Sequence, residues 1–206
     1  MRGVFTDNFV YNRDKLMHFP ELYILRHGET LWNAENRMQG ALNSPLTDKG
    51  KAQAARQGEL LKGLNTDGFA AICSPQGRAF QTAGIAVAST IAAIRTDERL
   101  REIGVGDWSG VVRSELQINV PIADGPDGPI ALYEHAPGGE GFDALEARCR
   151  DFLQSLTGPA VLITHGITSR MLRMILLDLD RDALGKLPGG QGNIFHLKNG
   201  VQEEFG

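Results

Sequence analysis

Only two cysteines, Cys73 and Cys149, occur in the 206 residues, and they form no CxxC pair. A chain of this length needs no disulfide staple. Both therefore read as reduced core residues of a cytosolic protein, and Cys149 falls on the apolar face of an expected helix; a catalytic thiol is the minor alternative. No run is long and apolar enough to span a bilayer, and the first twenty residues carry Asp7, Arg13, Asp14 and Lys15 where a signal peptide needs an apolar centre. The expected location is the cytoplasm. Basic charge is not in excess either, because 21 Lys and Arg stand against 25 Asp and Glu, a net charge of −4. Broad binding to nucleic acid or to a membrane is thus not expected, although a local basic pocket remains compatible with that balance. Internal repeats, low-complexity tracts and linkers are also missing. With 42% hydrophobic residues, the chain reads as residues 1–20, an extension, followed by one domain over 21–206.

What is present is an alternation of short apolar runs and helical patterns. Leu22–Leu25 and Ala160–Thr164 read as buried strands, as does Phe69–Cys73, which Ser74-Pro75 stops. Thr96–Leu100 is expected to be a further strand, and 193–197 and 201–205 closing edge strands. Helices are expected from Thr47, with Gly50 unusually early, toward Gly63, over about 78–93, over 142–156 and over about 168–177. Residues 103–141 are rich in Gly and Pro and read as an insertion over an active site, with a short helix near 112–117. This order implies an α/β/α sandwich of three layers around a mostly parallel sheet.

Two of the strands end alike, one running into Arg26-His27-Gly28 and the other into His165-Gly166. Ligands of parallel α/β sheets bind outside the carboxyl ends of the strands. If the two strands are neighbours, His27 and His165 meet at one rim. Phosphoryl transfer needs a nucleophile, cations on the equatorial oxygens and a proton donor for the leaving oxygen. A neutral His27 can be the nucleophile, and Arg26 and Arg78 offer planar forks for phosphate oxygens. His165 can donate to the phosphate, and Glu102 can be the acid, with Glu98 and Glu140 as rivals.

The ordered set Leu25-Arg26-His27-Gly28-Glu29-Thr30, Trp32-Asn33, Arg37-Met38-Gln39-Gly40, Ser74-Pro75-Gln76-Gly77-Arg78, Leu100-Arg101-Glu102, Thr164-His165-Gly166 and Gly192-Asn193 resembles the histidine phosphatase superfamily, in its phosphoglycerate mutase-like branch. The resemblance implies a phosphoglycerate mutase-like fold and a metal-independent phosphomonoester hydrolase without organic cofactor, acting on a small phosphorylated metabolite. It implies that His27 becomes phosphohistidine, that Arg26, Arg78 and His165 bind the transferring phosphate, with Gly166 beside them, and that Glu102 protonates the leaving oxygen and then activates water. Asn33 and Gly40 would add phosphate or substrate contacts.

The chain departs from the family pattern at Ser109, Gly141 and Asn43, where Glu, Ser and Asp are common. A bisphosphoglycerate-dependent mutase shares the same core and is the alternative; a phospho-binding pseudoenzyme is a minor third reading, since no core group is lost. Hydrolysis is preferred because Glu102-Ile103-Gly104-Val105-Gly106-Asp107-Trp108 replaces the basic Glu-Arg-x-Tyr-Gly stretch of mutases, and because 115–135 holds no cluster of Lys and Arg, so a doubly anionic substrate would find few partners there. His18, His135 and His196 read as surface or satisfied core residues, Trp32 and Trp108 as packing residues, and Arg170 and Arg173 as a solvated helix face. Oligomeric state is not legible; a homodimer is the commonest option.

Overall fold

The computed structural model describes residues 19–116 and 128–206; nearly all of the expected extension, and Gln117 of the expected short helix, lie outside them. Among the described residues one six-stranded sheet is built from β1 (Leu22–Arg26), β2 (Ala70–Cys73), β3 (Ile94–Thr96), β4 (Ala160–Thr164), β5 (Ile194–Lys198) and β6 (Val201–Phe205), in the order β3-β2-β4-β1-β5-β6. β3, β2, β4 and β1 run parallel, while β5 and β6 are antiparallel. The helices are α1 (Leu31–Ala34), α2 (Asp48–Lys62), α3 (Gly77–Ala86), α4 (Gly128–Ala131), α5 (Gly141–Gln154) and α6 (Gly166–Leu176).

The sheet is covered on both faces, which explains why its central strands are continuously apolar rather than alternating. Leu22 and Ile24 of β1 and Leu162 of β4 pack with Cys149 and Phe152 of α5 and Met171 of α6. Tyr23, Leu25, Val161 and Ile163 point the other way, toward Leu61 of α2 and Ala79 and Ala83 of α3. Each such side chain taken fully out of water contributes about 1.5–3 kcal/mol. The result is the expected three-layer sandwich, with Cys73 and Cys149 free and buried inside it.

Several boundaries differ from the sequence reading. The strand expected at 96–100 is β3 at Ile94–Thr96, followed by a 3-10 turn over Glu98–Leu100 that the Asp97 side chain caps by accepting from Arg99 N–H. α3 stops at Ala86 because Val87, Ser89 and Thr90 are poor helix formers and turn back, with Thr90 N–H donating to Val87 C=O. β5 is no edge strand, since it lies between β1 and β6. Near 112–117 the chain makes a 3-10 turn over Arg113–Glu115.

The early Gly50 has a geometric reason. Thr47 caps α2 by accepting from Gly50 N–H, and this first turn lies against the backbone of Gly28 and Glu29. A Cβ on Gly50 would stand 2.0 Å from Glu29 O, and one on Gly28 2.1 Å from Gly50 O. Both glycines are required for the helix to approach the loop that carries His27.

Candidate active site

β1 and β4 are hydrogen-bonded neighbours with Arg26 beside Thr164, so both His-Gly corners leave the sheet side by side. His27 N–H donates to Thr164 C=O at 3.0 Å, and the two imidazoles meet edge to face with centroids 5.1 Å apart. The adjacency assumed from sequence is therefore real.

His27 Nδ1 lies 2.7 Å from the Gly28 carbonyl. A carbonyl accepts only, so the neutral ring carries its proton on Nδ1 and presents Nε2 as a lone pair. Burial, then Arg78 and Arg26, hold His27 well below the usual histidine range. Burial and the same arginines, with His27 between them in rank, do so for His165. His165 Nε2 sits 2.8 Å from Ser74 Oγ, and its Nδ1 has no partner among the described residues.

Those shifts set a stability prediction. The folded-state values lie below the unfolded value of about 6.5, so the unfolded chain takes up protons that the native chain refuses. The stabilisation is full above that value and is lost as pH falls. Denaturant unfolding should show a loss of up to about 1.4 kcal/mol per histidine between pH 7.5 and 5.5, above the range where carboxylates titrate. His165→Gln should reduce the slope by roughly half. Equal stability at the two pH values would contradict a neutral buried pair.

A cavity of about 220 Å³ opens beside this corner; Arg26, His27, Asn33, Gly40, Arg78, Glu102 and Gly166 line it. Arg78 enters from the first turn of α3, where Asn43 Oδ1 accepts its backbone N–H at 2.9 Å, so the amide at Asn43 supplies the acceptor for that helix end. The carbonyls of Leu42 and Gly40 fix Arg78 at 2.7 and 3.0 Å. Gly40 needs its glycine, having a φ of +50° with Val105 where a Cβ would go. Arg26 donates to Gly189 C=O at 3.4 Å. The Nε of each arginine is buried without a partner among the described residues. Burial pushes Arg78 down to about 10, which still leaves it charged at neutral pH. Asn33 Oδ1 accepts from Thr30 N–H and Gln191 Nε2, which leaves its amide N–H groups as donors.

Glu102 is the one carboxylate among the lining residues. It accepts from the backbone N–H groups of Ile103, Ile167 and Thr168, the latter two in the first turn of α6. The rivals are engaged elsewhere: Glu98 pairs with Arg101, and Glu140 pairs with Arg148 and accepts from Gly104 N–H. His135 is exposed and outside the lining, and His196 pairs with Glu21. Trp108 is a core residue, and Trp32 packs over Gly110.

One expectation is overturned. Arg170 and Arg173 form no solvated face. Arg173 is fully buried, 3.8 Å over the Phe195 ring and donating to Pro188 C=O at 2.6 Å, while Arg170 lines the cavity. α6 is covered on that side by β5 and by the segment at 187–191, which the two strand patterns did not disclose. The cavity also holds cations beyond Arg26 and Arg78, for Arg37, Arg113 and Arg170 all line it, with Gln39, Ile130, Tyr133 and Ile167. They come from outside 115–135 or from its margin, so counting charges within that segment missed them. Arg170 had a signal: it lies one helical turn beyond Gly166, on the same face. Arg113 and Tyr133, in aperiodic sequence, had none.

The comparisons agree with this geometry. Residues 22–201 match the profile of the Histidine phosphatase superfamily (branch 1). A glucosyl-3-phosphoglycerate phosphatase of Mycobacterium tuberculosis (strain ATCC 25618 / H37Rv) is 32% identical over 194 residues, covering 86% of this chain and 83% of its own. A probable phosphoglycerate mutase GpmB of Salmonella newport is 34% identical over 170 residues, 77% and 75% of the two chains. Among solved structures, Bacillus stearothermophilus YhfR superposes with a TM-score of 0.72 at 34% identity over 89% of this chain and 94% of its own. The chain belongs to the histidine phosphatase superfamily, whose members share chemistry through a phosphohistidine. Among the described residues no helix is long and apolar enough to cross a membrane.

Proposed function

We propose that the protein hydrolyses small phosphomonoesters, with His27 as the nucleophile. The observation that carries this reading is the His27 ring itself: its proton is fixed on Nδ1 by Gly28, and burial and two arginines keep it neutral. Nε2 attacks phosphorus while Arg26, Arg78 and His165 take the equatorial oxygens, their unpartnered donors meeting developing charge. The N–P bond forms as the ester P–O bond breaks, and the Glu102 carboxyl gives its proton to the leaving oxygen. Glu102 then takes a proton from water as that water attacks phosphorus, which releases inorganic phosphate and restores both side chains. Asn33 donates to the substrate from the cavity wall, and Gly40 acts through Arg78, which its carbonyl holds. Arg113, Ile130 and Tyr133 line one side of the site, and the protein works in the cytoplasm.

Hydrolysis rather than mutase action is favoured by the stretch after Glu102, where Ile103, Val105 and Trp108 are buried in the core and no basic side chain is offered. The phosphatase relative also covers more of the chain than the mutase relative. The test is a direct comparison. Purified protein should release phosphate from p-nitrophenyl phosphate without added metal, faster than it interconverts 2- and 3-phosphoglycerate in the presence of the bisphosphate primer. Isomerisation exceeding hydrolysis would establish the mutase instead.

A further inference from the structure

One neutral side chain touches three of the groups around the phosphate corner. Gln76 is buried at the corner between β2 and α3. Its Oε1 accepts from the backbone N–H of Glu102 at 2.9 Å and from Arg78 Nη2 at 3.4 Å. Its Nε2 donates to the Gly40 carbonyl at 2.9 Å, and that carbonyl also receives Arg78 Nη2 at 3.0 Å. The orientation of the amide is fixed from both ends. A backbone N–H only donates and a backbone carbonyl only accepts, so a flipped amide would face each with the wrong group. The main chain of Gln76 is anchored as well. Its N–H donates to Ser74 Oγ at 3.3 Å, the hydroxyl that lies 2.8 Å from His165 Nε2.

Glu102 depends on these contacts more than Arg78 does. It follows the 3-10 turn over Glu98–Leu100 and belongs to no strand or helix that would fix its backbone. Its carboxylate is held by the N–H groups of Ile103, Ile167 and Thr168, and its own N–H is held by Gln76. Arg78 has further holds in the Leu42 and Gly40 carbonyls and in Asn43, which accepts from its backbone. Loss of the Gln76 amide therefore leaves the phosphate-binding arginine in place and loosens the acid. A general acid must stand within hydrogen-bond reach of the leaving oxygen, and an ångström of misplacement can cost about 10²-fold.

We propose that Gln76 is a positioning residue, which ties the proton donor Glu102 to the frame that holds Arg78 and so sets the acid against the phosphate that Arg78 binds. The proposal rests on the phosphomonoesterase reading for the role of Glu102, and the variants below separate the two.

Gln76→Met keeps the length of the side chain but removes both polar ends, and the Glu102 N–H loses its acceptor. kcat/KM for n-butyl phosphate, whose leaving oxygen needs the proton, should fall roughly 10–100-fold. kcat/KM for p-nitrophenyl phosphate should stay within about three-fold of native, while kcat and KM for that ester fall together, because water still needs Glu102 as a base in the second step. In a Glu102→Gln background the same change should cost n-butyl phosphate no more than p-nitrophenyl phosphate, since no acid is left to position. Gln76→Glu retains an acceptor for the Glu102 N–H, so it should keep the ratio of the two esters within about three-fold of native. Should Gln76→Met fail to fold, Gln76→Asn withdraws the acceptor by one methylene and should show the same split at smaller size. Equal losses on both esters in Gln76→Met or Gln76→Asn, where Glu102→Gln separates them, would make Gln76 a packing residue and overturn this proposal alone. A Glu102→Gln variant that does not separate the esters would remove Glu102 as the acid, and the positioning role would fall with it.

Discussion

Replacing His27 with Ala should abolish turnover, lowering kcat/KM for p-nitrophenyl phosphate by at least roughly 10⁴-fold, because a covalent route loses its nucleophile and the remaining arginines can only bind. The expected chemistry is specific to one nitrogen. With Nδ1 donating to the Gly28 carbonyl at 2.7 Å, the free lone pair is on Nε2. Native protein mixed with labelled substrate and quenched in alkali should thus carry a base-stable, acid-labile phosphoramidate on Nε2 of His27, and His27→Ala should carry none. Phosphorus NMR of the denatured adduct separates the two ring isomers. His27 is only 3% exposed, and its removal leaves a void among polar groups, so circular dichroism should accompany the kinetics. A folded variant that retains native turnover, or an adduct on Nδ1, would require another nucleophile.

How far that nucleophile was legible in the sequence depends on which physical signal carried it. β1 and β4 announce themselves because strands covered on both faces are apolar at every position, and each runs into His-Gly. Their adjacency is a tertiary fact, yet parallel topology made it the natural arrangement. Arg78 and Glu102 were visible through their places after two further elements. Ser74, which sits 2.8 Å from His165 Nε2, was part of the recognised Ser-Pro corner but offered no sign of its partner. β3 was displaced because Asp97 caps a turn within the stretch expected to be a strand. The wall formed by Arg113 and Tyr133 left no trace, since a segment rich in Gly and Pro has no period to read. Arg170 and Arg173 show the opposite error: charge was taken to mean solvent, whereas a guanidinium can lie over Phe195 and donate to Pro188 within the fold.

Glu102→Gln should divide the reaction into its two steps, and its effect should depend on the leaving group. Gln keeps the shape and, at the Oε1 position, an oxygen that can accept from Ile103 and Thr168, losing only the contact that Oε2 accepts from Ile167, so the first turn of α6 retains an acceptor. What it loses is the proton. An alkyl phosphate, whose alkoxide leaves poorly, should suffer a loss of roughly 10²–10⁴-fold in kcat/KM, the usual worth of a positioned acid. p-Nitrophenyl phosphate leaves without help, so phosphorylation of His27 should stay within about ten-fold of native. The second step has no such escape, because water still needs the base. The variant should therefore release one equivalent of nitrophenol per site in a burst and then turn over slowly, with the phosphohistidine standing at steady state where native protein shows little. Hydroxylamine, a nucleophile that needs no general base, should restore the slow phase in part. An equal loss on both esters with no burst would mean that Glu102 serves only to hold the start of α6, and that another group moves the proton.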